Sequence, residues 1–193
     1  EELVSMDGVR FADLETVPAG SFSRLTAFQT RVESLLGEKG LIEFEVQRPG
    51  AGVRRISLHG VPACRSRVEL LTDGNEAAAD GERIIISRRF LALARSDDEA
   101  SFFVGHELAH NILRHRALLD KAGRHSRNIR ATERAADRLA MWLLANAGYQ
   151  MLPATQFMER WGKRQANLVF HNSTHDHWRS RLGLLQAELV AIE

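Results

Sequence analysis

The H-E-x-x-H motif at residues 106–110 combines the side chains that a metal-dependent hydrolase needs. The apolar periodicity around the motif predicts a long helix over residues 96–115. Residues four positions apart lie about 40° apart around a helix axis, so His106 and His110 share a face and can bind one metal ion. Glu107 can reach a water molecule on that metal. The motif predicts a hydrolytic zinc site with Glu107 as general base. The alternative is two histidines on a partly exposed helix face.

A catalytic zinc ion needs a third ligand from the protein, and the next predicted helix, residues 131–146, offers one. Glu133 and Asp137 lie four residues apart and therefore also share a face. We predict that Glu133 binds the metal and that Asp137 accepts the spare N–H of a ligating imidazole. The alternative for Glu133 is a solvated ion pair with a neighbouring arginine. His115 lies about 140° beyond His110 on a continuous helix, which favours a surface or second-layer position over a ligand.

Three separated motifs resemble those of a known protein family. The family's H-E-x-x-H and E-x-x-A-D motifs match His106, Glu107, His110, Glu133, Ala136 and Asp137. Its S-T-H-P-x-x-x-x-R-[IL] motif matches Ser173, Thr174, His175, Arg181 and Leu182. Residues 80–182 resemble the gluzincin zinc metallopeptidases of the HtpX and CAAX-prenyl-protease (Oma-like) family.

The resemblance implies a zinc-dependent endopeptidase with Zn²⁺ as its cofactor and peptides or proteins as its substrates. It implies that His175 is catalytic, as an oxyanion stabiliser or a displaceable extra ligand. It also implies that Arg181 and Asp137 support the metal ligands from behind.

The chain departs from the family's pattern at two places. Asp176 and then His177 follow His175 where the family has a proline, so His177 either competes with His175 or, as we favour, begins a helix. Glu76 stands where the family has an asparagine, and Asn75 receives no catalytic role. The departure at Asp176 motivates an alternative function, a catalytically latent zinc-bearing binding or chaperone-like module. In that module His175 or His177 would close the fourth metal position.

The segment Arg83 to Ser87 predicts a short strand close to the zinc helix. As an edge strand it would pair with an extended substrate backbone, which makes Ile84, Ile85 and Ile86 the predicted substrate-binding residues. Three consecutive apolar residues are equally typical of a buried strand, and both interpretations can hold together.

The order of predicted elements, strands first and helices later, indicates an α+β fold. We predict a mainly helical zincin-type metallopeptidase domain with a small β-sheet over residues 64–193. Residues 1–63 predict a small α+β segment, either part of a PDZ-like module or a cap of the catalytic domain. We predict no regular secondary structure over residues 1–20, and then a helix ended by Gly37 and Gly40. We also predict an Ala-rich loop before the strand at 83–87 and a basic linker before residue 131.

The composition excludes several other classes of protein. Lys and Arg number 26 against 25 Asp and Glu, a net charge of +1 that favours neither nucleic acid nor an anionic membrane as partner. The one cysteine excludes a Cys-based zinc cluster, and no apolar run predicts a membrane span. The absent start methionine and the family resemblance lead us to expect a periplasmic or otherwise exported protein. The sequence does not specify the oligomeric state.

Overall fold

A computed structural model describes residues 2–14, 16, 18, 23–62, 66–74, 76–166 and 176–192. The chain is α+β and mainly helical, with two small sheets. Its contacts divide it into two compact units, Glu1–Ala63 and Cys64–Glu193. In the described part of the chain, none of the helices is both long and apolar enough to span a membrane.

The first unit is a four-stranded antiparallel sheet with one helix. Its elements are β1 (Glu2–Met6), β2 (Val9–Arg10), a 3-10 helix (Phe11–Asp13), α1 (Ser23–Lys39), β3 (Leu41–Gln47) and β4 (Val53–His59), and the strand order is β2-β1-β3-β4. The predicted irregular start is wrong, because Asp7 and Gly8 have φ of 50° and 82° and close a two-residue hairpin between β1 and β2.

The core of the first unit lies between α1 and one face of this sheet. Its buried members are Met6, Leu35, Ile42, Phe44 and Val46. The alternation predicted for residues 41–47 is confirmed, since every second side chain of β3 is buried. Helix α1 continues through Gly37 and is followed by Gly40, whose φ of 68° reverses the chain. The prediction that Gly37 ends the helix is therefore wrong.

The sheet of the second unit has three strands, β5 (Arg67–Leu71), β6 (Ala77–Ala79) and β7 (Arg83–Ser87), in the order β5-β7-β6. Strand β7 is central: it pairs in parallel with β5 on one side and antiparallel with β6 on the other. The prediction that residues 83–87 form an edge strand is wrong. The main chain of Ile84, Ile85 and Ile86 is already paired on both sides, so it cannot pair with a substrate backbone. The side chains of Ile84 and Ile86 are buried.

Strand β6 replaces the loop predicted for the Ala-rich segment. Its three alanines pair with Ile84, Ile85 and Ile86, although alanine has a low strand propensity. The long-range pairing with β7 therefore overrides the local preference, and β6 is the outer strand next to the zinc-motif helix described below.

The helices follow in the order α2 (Arg88–Leu91), α3 (Asp97–Ile112), α4 (His115–Ala122), α5 (Ser126–Asn146), α6 (Leu152–Ala166) and α7 (Trp178–Ile192). Ser96 caps α3, because its hydroxyl accepts a hydrogen bond from Glu99 N. The predicted basic linker is wrong, since most of it belongs to α4 and to the first turn and a half of α5. Helices α3, α5, α6 and α7 share one apolar core. Its buried members include Phe102, Phe103, Met141, Leu144, Phe157, Met158 and Leu185.

Candidate metal centre

A glycine lets the two ligand-bearing helices, α3 and α5, approach each other closely. A Cβ atom added to Gly105 would lie 3.0 Å from Leu144 Cδ1 and 3.7 Å from Ala140 Cβ, both on α5. A larger residue at this position would therefore clash with α5. The absence of a side chain one position before His106 allows the histidine-bearing face of α3 to meet the carboxylate-bearing face of α5.

The two helices bring His106, His110 and Glu133 into one group, called the ligand group below. One ligand atom from each residue lies within 4.8 Å of the others. His106 Nε2 lies 3.2 Å from His110 Nε2 and 3.5 Å from Glu133 Oε2, and His110 Nε2 lies 3.4 Å from Glu133 Oε1. Atoms bound at about 2.0–2.1 Å to a tetrahedral zinc ion lie about 3.3 Å apart, so the spacing and the donor types fit this metal.

Asp137 and Arg181 form a buried ion pair behind His106. Asp137 is fully buried, and its Oδ1 lies 2.9 Å from His106 Nδ1, although the imidazole N–H is not aligned with that oxygen. Arg181 donates from Nε to Asp137 Oδ2 at 2.7 Å and from Nη2 to Oδ1 at 2.6 Å. Its Nη1 lies 3.8 Å from Glu133 Oε2. Both residues thus lie behind the ligand group, where the sequence analysis expects them.

Burial and neighbouring charges pull the pKa values of the two grouped histidines in opposite directions. Burial lowers the pKa of His106, but the carboxylates of Asp137 and Glu133 outweigh it and raise this pKa to about 10. Burial and the nearby charge of His106 lower the pKa of His110 to about 3. The carboxylates therefore hold positive charge at the His106 side of the site.

Two further carboxyl groups complete the electrostatics of the site. Burial raises the pKa of Glu107, a change in the direction that suits a carboxyl group that takes up a proton and returns it. Burial also opposes the ionised form of Asp137, but the Arg181 guanidinium more than compensates and lowers the pKa of Asp137. Asp137 is therefore held as a carboxylate.

His115 contacts the site, a contact that the expected continuous helix does not provide. Its Nδ1 lies 3.0 Å from His110 Nδ1, and the residue is 4% exposed. Helix α3 stops at Ile112, and Arg114 adopts a left-handed conformation before α4 begins. Of the two positions proposed for His115, the second-layer position is confirmed and the surface position is wrong. Burial lowers the pKa of His115.

Asn111 lies at the same end of α3, and the sequence analysis did not single it out. Its Oδ1 accepts a hydrogen bond from Gly81 N, and its Nδ2 donates to Ser66 Oγ and Arg83 O. These bonds attach the last turn of α3 to the turn between β6 and β7, to the first residue of β7 and to the residue before β5. The available signal was an amide directly after a metal-motif histidine, in a helix otherwise expected to pack through apolar residues.

The loop that leads into α7 is described only from residue 176 onward. His175 and Asn75 lie outside the described residues, so the catalytic role predicted for His175 stays a prediction. Asp176 accepts a bidentate pair of hydrogen bonds from Arg134 on α5. His177 is exposed, directly precedes α7 and accepts a hydrogen bond from Arg179 N. The favoured interpretation of His177 as a helix-start residue is confirmed.

A comparison with protein-family models agrees with this geometry. Residues 74–123 match the model of peptidase family M48, a family of zinc-dependent peptidases. The matched segment contains β6, β7, α3 and its H-E-x-x-H motif, whereas Glu133, Asp137 and Arg181 lie beyond it. No curated protein matches the chain. The match and the ligand group together support an M48-type metallopeptidase.

Proposed function

We propose that this chain is a zinc-dependent endopeptidase of the HtpX and CAAX-prenyl-protease (Oma-like) type, acting on peptides or proteins. The observation that carries the proposal is the convergence of His106, His110 and Glu133 on one point, with Glu107 beside them on the same helix. The M48 match over that helix supports the same activity.

The proposed mechanism assigns one task to each residue of the site. His106, His110 and Glu133 would hold Zn²⁺, which when bound lowers the pKa of a water molecule to about 7 and polarises a carbonyl group. Glu107 accepts a proton from the attacking water and then delivers it to the nitrogen of the leaving amine. From the motif alone, we assign His175 to stabilising the oxyanion.

We propose that β6 takes the substrate-pairing role that the sequence analysis gave to β7. Strand β6 lies at the edge of its sheet and contacts α3, and within the described ranges no strand pairs with its outer side. An extended peptide beside β6 would gain main-chain hydrogen bonds. Its side chains are three alanines, which leave room for a peptide but provide few specific contacts. The main chain would therefore contribute more to binding than the side chains.

The alternative function is a catalytically latent, zinc-bearing binding or chaperone-like module. Asp176, in place of the family's proline, motivates it, and the bidentate contact with Arg134 gives this part of the chain an anchor. Among the described residues, however, the only possible metal-binding group contains no fourth protein ligand, and His177 is not a member of it. This grouping gives no support to the form of the latent module in which His177 closes the fourth position.

The test of the proposed function compares wild type with Glu107→Gln. We expect native mass spectrometry to find one zinc ion per chain in both. Cleavage of a peptide library should fall about 10²–10⁴-fold in the variant, because the proton acceptor is lost. Glu159→Gln, at an exposed position, is the matched control and should cleave like wild type.

Two results would contradict this assignment in different ways. Cleavage by Glu107→Gln at the wild-type rate would remove Glu107 from the mechanism. A wild-type protein that binds zinc but cuts no peptide in the library would favour the latent module.

A further inference from the structure

His115 is brought to the ligand group by a break in the helix that carries the zinc motif. On an uninterrupted α-helix, a residue five positions after His110 would lie about 140° away around the axis and could not contact it. Here Arg114 has φ 52° and ψ 40°, a left-handed conformation that is unfavourable for a residue with a side chain. The break redirects the chain so that His115, at the start of α4, is 4% exposed and packs against His110. Such strained positions concentrate at functional sites.

The contact between the two rings has a defined donor and acceptor once the metal-facing nitrogen is known. His110 Nε2 lies among the ligand atoms, 3.4 Å from Glu133 Oε1, so Nε2 must be free of hydrogen to bind a metal. The hydrogen of His110 is then on Nδ1. His115 Nδ1 is 3.0 Å away, and only one of these two facing nitrogens can carry a hydrogen. In this hydrogen bond His110 Nδ1 is therefore the donor and His115 Nδ1 is the acceptor.

We propose that His115 is a positioning residue that fixes the tautomer and the ring orientation of His110 for zinc binding. The inference rests on the proposed zinc site. In this arrangement the neutral imidazole of His115 accepts the hydrogen bond from His110. Metal-ligating histidines more commonly donate to a carboxylate, a carbonyl group or water. His115 acts through His110 and is not itself a member of the ligand group.

The test separates the hydrogen bond from the packing of the ring. His115→Phe keeps an aromatic ring but removes the acceptor. His115→Asn keeps an acceptor, because asparagine Oδ1 lies the same number of bonds from the main chain as histidine Nδ1 does. The first readout is Zn²⁺ affinity, measured by competition with a chromophoric chelator. The second is the visible absorption spectrum of the Co²⁺-substituted protein, which reports the geometry of the ligands. His125→Phe is the control, since His125 is exposed in the same unit.

We expect His115→Phe to weaken Zn²⁺ binding by about 10–100-fold and to alter the Co²⁺ spectrum. His115→Asn should stay close to wild type in both readouts, as should His125→Phe. If His115→Phe does not fold, as judged by circular dichroism of the metal-free protein, His115→Leu replaces it as the variant without an acceptor.

The outcomes separate this inference from the proposed function. If the wild type binds Zn²⁺ and the acceptor-free variant binds it equally well, His115 has no positioning role. The same conclusion holds if His115→Asn weakens binding as much as His115→Phe. If the wild type itself binds no Zn²⁺, the zinc site fails and the role of His115 fails with it.

Discussion

The two histidines of the ligand group are supported from behind in different ways. His106 faces the carboxylate of Asp137, which is fully buried and paired with Arg181. His110 faces another imidazole, that of His115, across a hydrogen-bonding distance of 3.0 Å. One support is therefore a buried ion pair, and the other is neutral.

The charge of the site explains why one neutral support suits it. With both ligand histidines neutral, as metal binding requires, ionised Glu107, Glu133 and Asp137 contribute three negative charges and Arg181 one positive charge, a balance of −3 + 1 = −2 apart from the metal. A divalent cation neutralises that charge. A carboxylate in place of His115 would add a further negative charge that the buried site would have to compensate. Burial therefore limits how many of the groups that support the ligands can be charged.

The largest expected effect comes from breaking the ion pair on the His106 side. Arg181→Met leaves Asp137 buried without its cation, and such losses cost about 3–5 kcal/mol. We expect a drop of this size in the free energy of unfolding, measured by urea denaturation of the metal-free protein. Arg124→Met is the control, because Arg124 pairs with Asp120 at the surface and little change is expected. A similar, small loss in both variants would show that the buried pair does not support the unit.

A smaller effect is expected when the charge of the same support is removed without changing its shape. Asp137→Asn should weaken Zn²⁺ binding by about 10–100-fold, since the imidazole of His106 loses its anionic partner. Chelator competition measures this change, and the exposed Asp120→Asn is the matched control. Comparison with His115→Phe then ranks the ionic and the neutral support. Unchanged affinity in Asp137→Asn would mean that His106 needs no charged partner.

The smallest effect is expected at an ion pair that is not buried on both sides. The side chain of Arg134, next to the ligand Glu133, is 58% exposed and pairs with Asp176. Water and salt screen such a pair, so Arg134→Met should leave the free energy of unfolding, measured by urea denaturation of the metal-free protein, nearly unchanged. A loss as large as that of Arg181→Met would show that burial does not distinguish the two pairs.

The parts of the site that follow helical periodicity could be predicted from the sequence. His106 and His110 share a face of α3, and Glu133 and Asp137 share a face of α5, because each pair is four residues apart. The strand at residues 83–87 also has the predicted bounds. These features depend on local spacing, which a sequence shows directly. Arg181 came from the resemblance instead, because nothing local links it to Asp137.

The features that sequence reasoning missed depend on contacts between distant residues or on an unusual conformation. Strand β6 is three alanines that become a strand only through pairing with β7. The central position of β7 likewise depends on where β5 lies. His115 reaches His110 because Arg114 adopts a left-handed conformation, for which arginine has no local preference. Each outcome is decided by tertiary packing.

The contact between Asp137 and Arg181 also has a consequence for the order of folding. The two residues are 44 positions apart, and the whole of α6 lies between them. Closing a loop of this length costs chain entropy before the contact forms, so we expect α7 to dock late. Until it does, Asp137 has no guanidinium beside it, and the ligand group is held less firmly. The unit would then bind a metal firmly only after its folding is complete.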